Sequence, residues 1–276
     1  MTGRTLTVGV VQLTTTDDPE ASTEAALQGV ERAAKAGATF VALPENVAFM
    51  GPERQKLQLA EPLSGPTFAR FAEAAARFGL VLAAGTFVER GPDPDRVYNT
   101  SVIFGPDGGT LATYRKIHLF DVGDVGDGFA YTESASVAPG DRAVVVDTPA
   151  ARLGASVCFD LRFPALYQTL ADAGAEILLV PSAFTRPTGA AHWSVLLRAR
   201  AIETQCFVVA AAQTGDNTDQ RKTWGHSMVV DPWGGVLLEF GDEPEVATVT
   251  IDLDAVQSAR VKVPTAANRR PFVIDD

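Results

Sequence analysis

The chain has 276 residues, 46% of them hydrophobic and 21% charged, a balance that fits one large α/β domain or two small ones. Its net charge of −11 makes nucleic acid and anionic membrane surfaces poor partners. The N-terminal residues lack the apolar core of a signal peptide, and no run approaches the ~20 apolar residues of a membrane span. The two cysteines imply no disulfide framework. These features predict a cytoplasmic protein that binds neither nucleic acid nor membrane.

The first half of the chain alternates between predicted strands and helices. β-branched and apolar runs predict strands at residues 6–13, 39–43, 80–88 and 97–104. Apolar residues at helical spacing predict helices at residues 19–37 and 66–79. A Pro-Asp-Gly-Gly turn at residues 106–109 predicts a hairpin, and residues 123–140, rich in glycine and acidic residues, predict a long loop.

Hairpins become more frequent in the second half. Predicted strands cover residues 144–146, 153–157, 177–180, 207–212, 226–230, 236–240 and 246–251. Predicted helices cover residues 165–174 and 190–204, with a short helix and a polar tail at the end. This mixture predicts two packed β-sheets covered by helices. No linker rich in proline or serine divides the chain, so we expect a single domain over residues 1–276.

Cys158 lies where a predicted strand meets a predicted helix, the first turn of which suits Pro164. The positive field at a helix N-terminus favours a thiolate, so Cys158 is a candidate nucleophile. The alternative is a buried structural cysteine, and this segment alone does not separate the two readings. Cys206 opens an apolar strand and is predicted to be a core residue.

Two further candidates, Glu45 and Lys116, also flank predicted strands, the ends of which meet at one edge of an α/β sheet. A carboxylate can take the thiol proton, and an ammonium together with the Phe159 N–H can stabilise an oxyanion. Cysteine–histidine pairs are also common, so His118 is a rival base, and the remaining two histidines are further candidates: His192 and His226. No zinc-type spacing or glycine-rich phosphate loop occurs, so no metal or organic cofactor is expected.

Three segments carry a resemblance: Leu43-Pro-Glu-Asn46, Tyr114-Arg-Lys-Ile-His-Leu-Phe-Asp121 and Val157-Cys-Phe-Asp-Leu-Arg-Phe-Pro164. With them the chain, from about residue 6 to residue 272, resembles the nitrilase superfamily of carbon–nitrogen hydrolases. The resemblance implies an α/β fold, a four-layer α-β-β-α sandwich. It also implies that Glu45 is the general base, Lys116 the oxyanion stabiliser and Cys158 the nucleophile. Glu133 matches a further glutamate of the family that orients the lysine. His118 is then expected to hold neighbouring catalytic residues in place without contacting the substrate.

Residues 181–184, 188–193, 197–206 and 225–234 look like the Nit-type amidase branch. The branch hydrolyses amides of carboxylic acids through a thioester. Two activities are known in it: hydrolysis of deaminated glutathione, and ω-amidase action on α-ketoglutaramate and α-ketosuccinamate. The resemblance favours the first. N-Carbamoyl amidohydrolase activity and a non-enzymatic scaffold role are the alternatives. The resemblance also implies a homodimer or higher homo-oligomer, with helix 192–204 and the C-terminal stretch 263–272 as interface candidates.

Four residues are candidates for binding the small-molecule amide substrate. Arg162 can bind a substrate carboxylate through its planar guanidinium, or else form an ion pair with Asp160. Phe159 stands where the branch usually has tyrosine, so a hydroxyl contact is absent. Phe184 and Thr188 are expected to lie in a loop that lines the pocket.

Overall fold

The computed structural model describes residues 3–274, except the side chains of residues 92 and 93, so both ends of the predicted 1–276 domain lie outside it. The strands are β1 (Thr5–Gln12), β2 (Phe40–Ala42), β3 (Val81–Asp93), β4 (Arg96–Phe104), β5 (Thr110–Arg115), β6 (Asp121–Val122), β7 (Tyr131–Thr132), β8 (Val144–Asp147), β9 (Arg152–Ala155), β10 (Ile177–Leu179), β11 (Phe207–Ala210), β12 (Thr214–Asp216), β13 (Lys222–Trp224), β14 (Met228–Val230), β15 (Val236–Glu239) and β16 (Glu245–Asp252). The helices are α1 (Pro19–Lys35), α2 (Glu53–Leu59), α3 (Pro66–Phe78), α4 (Pro164–Asp172), α5 (Arg186–Thr204), α6 (Asp254–Lys262) and α7 (Thr265–Asn268).

Two six-stranded sheets form the framework, in the orders β16-β1-β2-β3-β4-β5 and β15-β14-β11-β10-β9-β8. In each sheet three parallel strands occupy the centre: β1, β2 and β3 in the first, and β9, β10 and β11 in the second. Antiparallel strands flank both centres. The parallel strands run as nearly continuous apolar segments, which is expected where both faces of a sheet are covered.

The core has three layers of packed side chains. Between the sheets, Val8 and Phe40 from the first sheet belong to one buried cluster with Leu179 and Phe207 from the second. Helices α1 and α3 cover the outer face of the first sheet. Helices α4 and α5 cover the outer face of the second sheet, where the ring of Trp193 is buried. The predicted four-layer α-β-β-α sandwich is therefore confirmed.

Several local predictions were wrong. Helix α5 begins at Arg186 and not at residue 190, because Pro187 is tolerated in a first helical turn, where its missing N–H costs nothing. Thr188 consequently belongs to this helix and not to a loop. Cys158 opens a short 3₁₀ turn, Cys158–Arg162, and does not sit at the N-terminus of α4, which begins at Pro164. Helix α2 and the β12–β13 hairpin were not predicted. Within residues 3–274, none of the helices has the length and apolar character needed to span a lipid bilayer.

Candidate active site

Glu45 follows β2, and an irregularity in the neighbouring strand β3 sets its position. The β3–β4 register shifts between Ala83 and Thr86, and Gly85 there has φ +68°. A Cβ on Gly85 would lie 2.0 Å from the Pro44 carbonyl oxygen, so only glycine lets the two backbones approach this closely. The Asn46 N–H donates to the Thr86 hydroxyl at 2.8 Å, which fixes the turn. The result is a buried Glu45 side chain, 2% exposed.

Asp160 joins the cysteine segment to the lysine segment. Its carboxylate, fully buried, accepts the Val157 N–H at 2.9 Å, the Tyr114 hydroxyl at 2.6 Å and the His118 N–H at 3.0 Å. It also lies 2.7 Å from His118 Nδ1. Because Val157 precedes Cys158 and Tyr114 lies on β5 close to Lys116, this one carboxylate holds both segments in register. Asp160 is therefore unavailable as the ion-pair partner once considered for Arg162.

The histidines considered as bases are engaged elsewhere. The His118 ring is bonded to Asp160 and stacks on Phe163 at 3.6 Å between centroids. The His192 ring lies 3.2 Å from an Arg162 nitrogen, and the His226 ring lies 3.0 Å from an Asp242 oxygen. None of the three lines the cleft in which the Cys158 thiol lies. The position of His118 fits the supporting role that the family resemblance implies.

Lys116 lies between two carboxylates at the bottom of the cleft. Its Nζ is 2.9 Å from Glu45 Oε1, and 2.8 and 3.1 Å from the two oxygens of Glu133. Asn99 donates from its side-chain amide to Glu45 at 2.9 Å and to Glu133 at 3.3 Å. The Phe120 N–H also donates to Glu133, at 2.7 Å. The network fixes one ammonium and two carboxylates in a single arrangement within a low-dielectric site.

Burial and charge shift the pKa values of this group. Burial alone would lower the pKa of Lys116, but the carboxylates of Glu133 and Glu45 outweigh it and hold that pKa above its ordinary value. Burial alone would raise the pKa of Glu133, but Lys116 outweighs it and lowers that pKa. Both groups are therefore ionised at neutral pH.

The Cys158 thiol behaves differently from the sequence-based expectation of a thiolate. Burial raises its pKa and the Glu45 charge raises it further, while Lys116 and the Ala183 backbone act in the opposite direction. The thiol is thus neutral at neutral pH and needs a base to become a nucleophile. Glu45 Oε2 is buried and lacks a partner with good hydrogen-bond geometry among the described residues, while Glu45 interacts with the Cys158 thiol, so this carboxylate can take the thiol proton.

The cleft above this group is lined by all eight residues that the sequence analysis assigned to the glutamate–lysine–cysteine chemistry or to substrate binding. Its empty space, including the open mouth, is about 750 Å³. The eight are Glu45, Lys116, Glu133, Cys158, Phe159, Arg162, Phe184 and Thr188. The Phe159 ring meets Phe120 edge-on at 5.2 Å, so one wall is aromatic. The Thr188 hydroxyl is bonded to Thr185 at 2.8 Å.

The Arg162 guanidinium is half buried on the aromatic wall. It lies 5.4 Å from the Phe184 ring centroid and 5.7 Å from that of Phe159. No carboxylate within residues 3–274 forms an ion pair with it, and burial lowers its pKa. The group is consequently a positive charge that lines the cleft and has no counter-ion among the described side chains.

Sequence reasoning missed several polar residues at this site, among them Asn99, Arg221 and the ion pair of Glu53 with Lys56, which also lines the cleft. Asn99 is an amide in the middle of strand β4, where asparagine is uncommon, and that rarity was the available signal. Arg221 also lines the cleft, but its loop gave no sequence signal. In the described part of the chain, His, Cys, Asp and Glu side chains form no group of three or more that could hold a metal ion.

Comparison with known proteins places this arrangement in a family. The family model described as carbon-nitrogen hydrolase matches residues 7–261. A human protein named deaminated glutathione amidase is 45% identical over 269 residues, which is 96% of this chain and 82% of the human one.

Two solved structures share the fold over nearly the whole chain. The C. elegans NitFhit protein has a TM-score of 0.91 and 39% identity, covering 98% of this chain and 66% of its own. A Saccharomyces cerevisiae protein described as a member of branch 10 of the nitrilase superfamily has a TM-score of 0.86 and 32% identity, covering 97% of both chains. The chain therefore belongs to the carbon–nitrogen hydrolase family of the nitrilase superfamily and is a hydrolase of non-peptide carbon–nitrogen bonds.

Proposed function

We propose that this hydrolase cleaves the amide bond of a small α-keto carboxylic acid, with deaminated glutathione as its main substrate. The observation that carries the proposal is the convergence of Glu45, Lys116 and Cys158 at the bottom of a cleft that also presents Arg162, a cation with no carboxylate partner among the described side chains. The relatives named deaminated glutathione amidase support this choice of substrate.

The proposed reaction begins with the neutral thiol. Glu45 takes the proton of Cys158 as the sulfur attacks the amide carbonyl carbon, and the carbonyl oxygen becomes an oxyanion. The Lys116 ammonium and the Phe159 N–H stabilise this oxyanion. The Phe159 N–H donates to no protein acceptor within residues 3–274, so it is available for the role.

Glu45 then gives its proton to the leaving nitrogen, the carbon–nitrogen bond breaks, and a thioester remains on Cys158. A water molecule follows the same path: Glu45 takes its proton, the hydroxide oxygen attacks the thioester carbon, and the sulfur leaves. The proton held by Glu45 returns to the sulfur, which restores the thiol. Glu133 keeps Lys116 charged and oriented through both halves of the reaction, and the Asn99 amide bridges the two carboxylates.

Arg162 is proposed to bind the carboxylate of the α-keto acid. A guanidinium can form two parallel hydrogen bonds with a carboxylate, and it lies next to the aromatic surface of Phe159 and Phe184. Phe159, Phe184 and Thr188 shape the space for the acyl chain. With phenylalanine at position 159, the acyl chain meets an apolar ring and no hydroxyl there.

A substrate panel tests the function. The purified protein is mixed with deaminated glutathione, α-ketoglutaramate, α-ketosuccinamate and an N-carbamoyl amino acid, and release of the amine or ammonia is followed. We expect the highest kcat/KM for deaminated glutathione and no activity in Cys158→Ala. A clear preference for either ω-amide or for the N-carbamoyl compound would refute the proposed substrate.

We also propose that the protein is a cytoplasmic homodimer. Apolar side chains are exposed on α5, where Val195 is 69% exposed, and near the C-terminus, where Phe272 is 89% exposed. Such side chains are typical of a surface that a partner covers. Light scattering at micromolar concentration should give a dimer or larger assembly, and a monomer would refute this part of the proposal.

A further inference from the structure

A second arginine, Arg221, lines the cleft and forms no ion pair among the described residues. The Glu53 carboxylate of the same cleft is paired with Lys56, and the Arg221 charge acts on it from beyond ion-pair distance. Arg221 donates from Nη2 to the Ala183 carbonyl at 3.2 Å, and its guanidinium lies 5.2 Å from the centre of the Tyr131 ring. Its Nε is buried and has no hydrogen-bond partner among the described residues. An unsatisfied buried donor on a cation is costly. The chain has 34 acidic and 23 basic residues, so acidic side chains for pairing are abundant.

The two arginines contact different residues of the cleft lining. Arg162 faces the rings of Phe159 and Phe184, and it belongs to the same 3₁₀ turn as Cys158. Arg221 contacts the Ala183 carbonyl and the Tyr131 ring. The backbone of Ala183 also acts on the Cys158 sulfur. A substrate placed at this sulfur therefore lies in a cleft that presents two separate arginines.

We propose that Arg221 binds a carboxylate on the leaving-group side of the scissile amide, while Arg162 binds the one on the acyl side. This inference rests on the proposed function and narrows its substrate class to amides with a carboxylate on each side of the bond. Deaminated glutathione has this form, since it carries an α-keto carboxylate on the acyl part and a glycine carboxylate on the leaving part.

α-Ketoglutaramate is a matched substrate for the test. It forms the same 2-oxoglutaryl thioester as deaminated glutathione, but it releases ammonia and not cysteinylglycine. The two compounds differ only in the leaving group, so the second half of the reaction is identical for both. A contact to the leaving-group carboxylate therefore changes kcat/KM for one substrate only.

The experiment compares both substrates in the wild type and in three variants. Arg221→Gln should lower kcat/KM for deaminated glutathione by about 10- to 100-fold, which is the range for loss of a charged hydrogen bond. The kcat/KM for α-ketoglutaramate should stay unchanged. Arg221→Lys should recover part of the loss, because it keeps the charge but not the two-pronged geometry. Lys222→Gln is the control, since Lys222 is the neighbouring cation but is exposed and paired with Asp216.

Equal losses on both substrates, or no loss on either, would overturn the inference. A separate binding assay tests the inference independently of turnover. Each amide is tested for its ability to protect Cys158 from alkylation by iodoacetamide, and the alkylation is measured by intact-protein mass spectrometry. If the wild type hydrolyses no deaminated glutathione, the proposed function fails. Protection by that compound in the wild type and its loss in Arg221→Gln would still support the Arg221 site, and equal protection in both would refute it.

Discussion

Replacing Lys116 by methionine should be strongly destabilising, because it leaves two buried carboxylates without their cation. Glu45 and Lys116 are each 2% exposed and Glu133 is 12% exposed, so solvent screens the two carboxylates only weakly once the ammonium is removed. Removing one partner of a buried ion pair costs about 3–5 kcal/mol. We expect the free energy of unfolding to fall by an amount in that range at pH 8, and amidase activity to be lost.

The size of this loss should depend on pH. Without the cation, one carboxylate in the folded Lys116→Met variant keeps its proton above the ordinary pKa of 4.5 for glutamate, whereas the unfolded chain releases it. The folded state then binds more protons, so stability falls as pH rises, by about 1.4 kcal/mol per pH unit for one proton. The variant should therefore be closer to the wild type at pH 5 than at pH 8.

Urea unfolding at both pH values, followed by circular dichroism, measures these free energies. Lys35→Met is a matched control, because the Lys35–Glu31 pair is exposed to solvent and such helix pairs contribute little to stability. Adding Glu133→Gln to Lys116→Met should restore much of the stability, since one buried charge is removed. A Lys116→Met variant as stable as the Lys35→Met control at pH 8 would refute the reasoning.

Three further predictions concern neighbouring residues. Gly85→Ala should cost at least about 1–3 kcal/mol in urea unfolding and reduce activity, because it strains a left-handed backbone beside the Glu45 turn; unchanged stability would contradict the positional argument. His118→Ala should retain acylation in single-turnover experiments, whereas Glu45→Gln should lose most of its rate, and the reverse order would make the histidine the base. The pKa of Glu133 is lowered in the folded state, so the contribution of this carboxylate to stability is complete above the ordinary pKa of 4.5 and is lost as pH falls below that value. Glu133→Gln should therefore flatten the dependence of the unfolding free energy on pH between pH 5 and 3. An unchanged slope would count against this prediction.

Much of the framework follows from the sequence because the pattern is strong where layers are buried. The parallel strands are apolar runs, and Pro19, Pro66 and Pro164 each stand at a helix start, so strands and helices alternate visibly. The ends of these strands carry Glu45 and Cys158, which made both visible as candidates.

The missing parts depend on contacts between distant segments. Asn99 meets Glu45 and Glu133 only because β4 lies two strands away from β2 in the first sheet, and no local pattern encodes that placement. The protonation state of Cys158 also needed the structure, since local helix geometry suggested a thiolate and burial beside Glu45 favours the neutral thiol. Arg221 enters the cleft from the β12–β13 hairpin, which was not predicted.

The most direct test of the central claim is intact-protein mass spectrometry of rapidly quenched reactions with deaminated glutathione or α-ketoglutaramate. Our account predicts that both substrates give the same added mass, that of a 2-oxoglutaryl group, and that peptide mapping places it on Cys158. The adduct should be absent in Cys158→Ala and form far more slowly in Glu45→Gln. Turnover without any adduct on Cys158, or an adduct on another residue, would contradict the account.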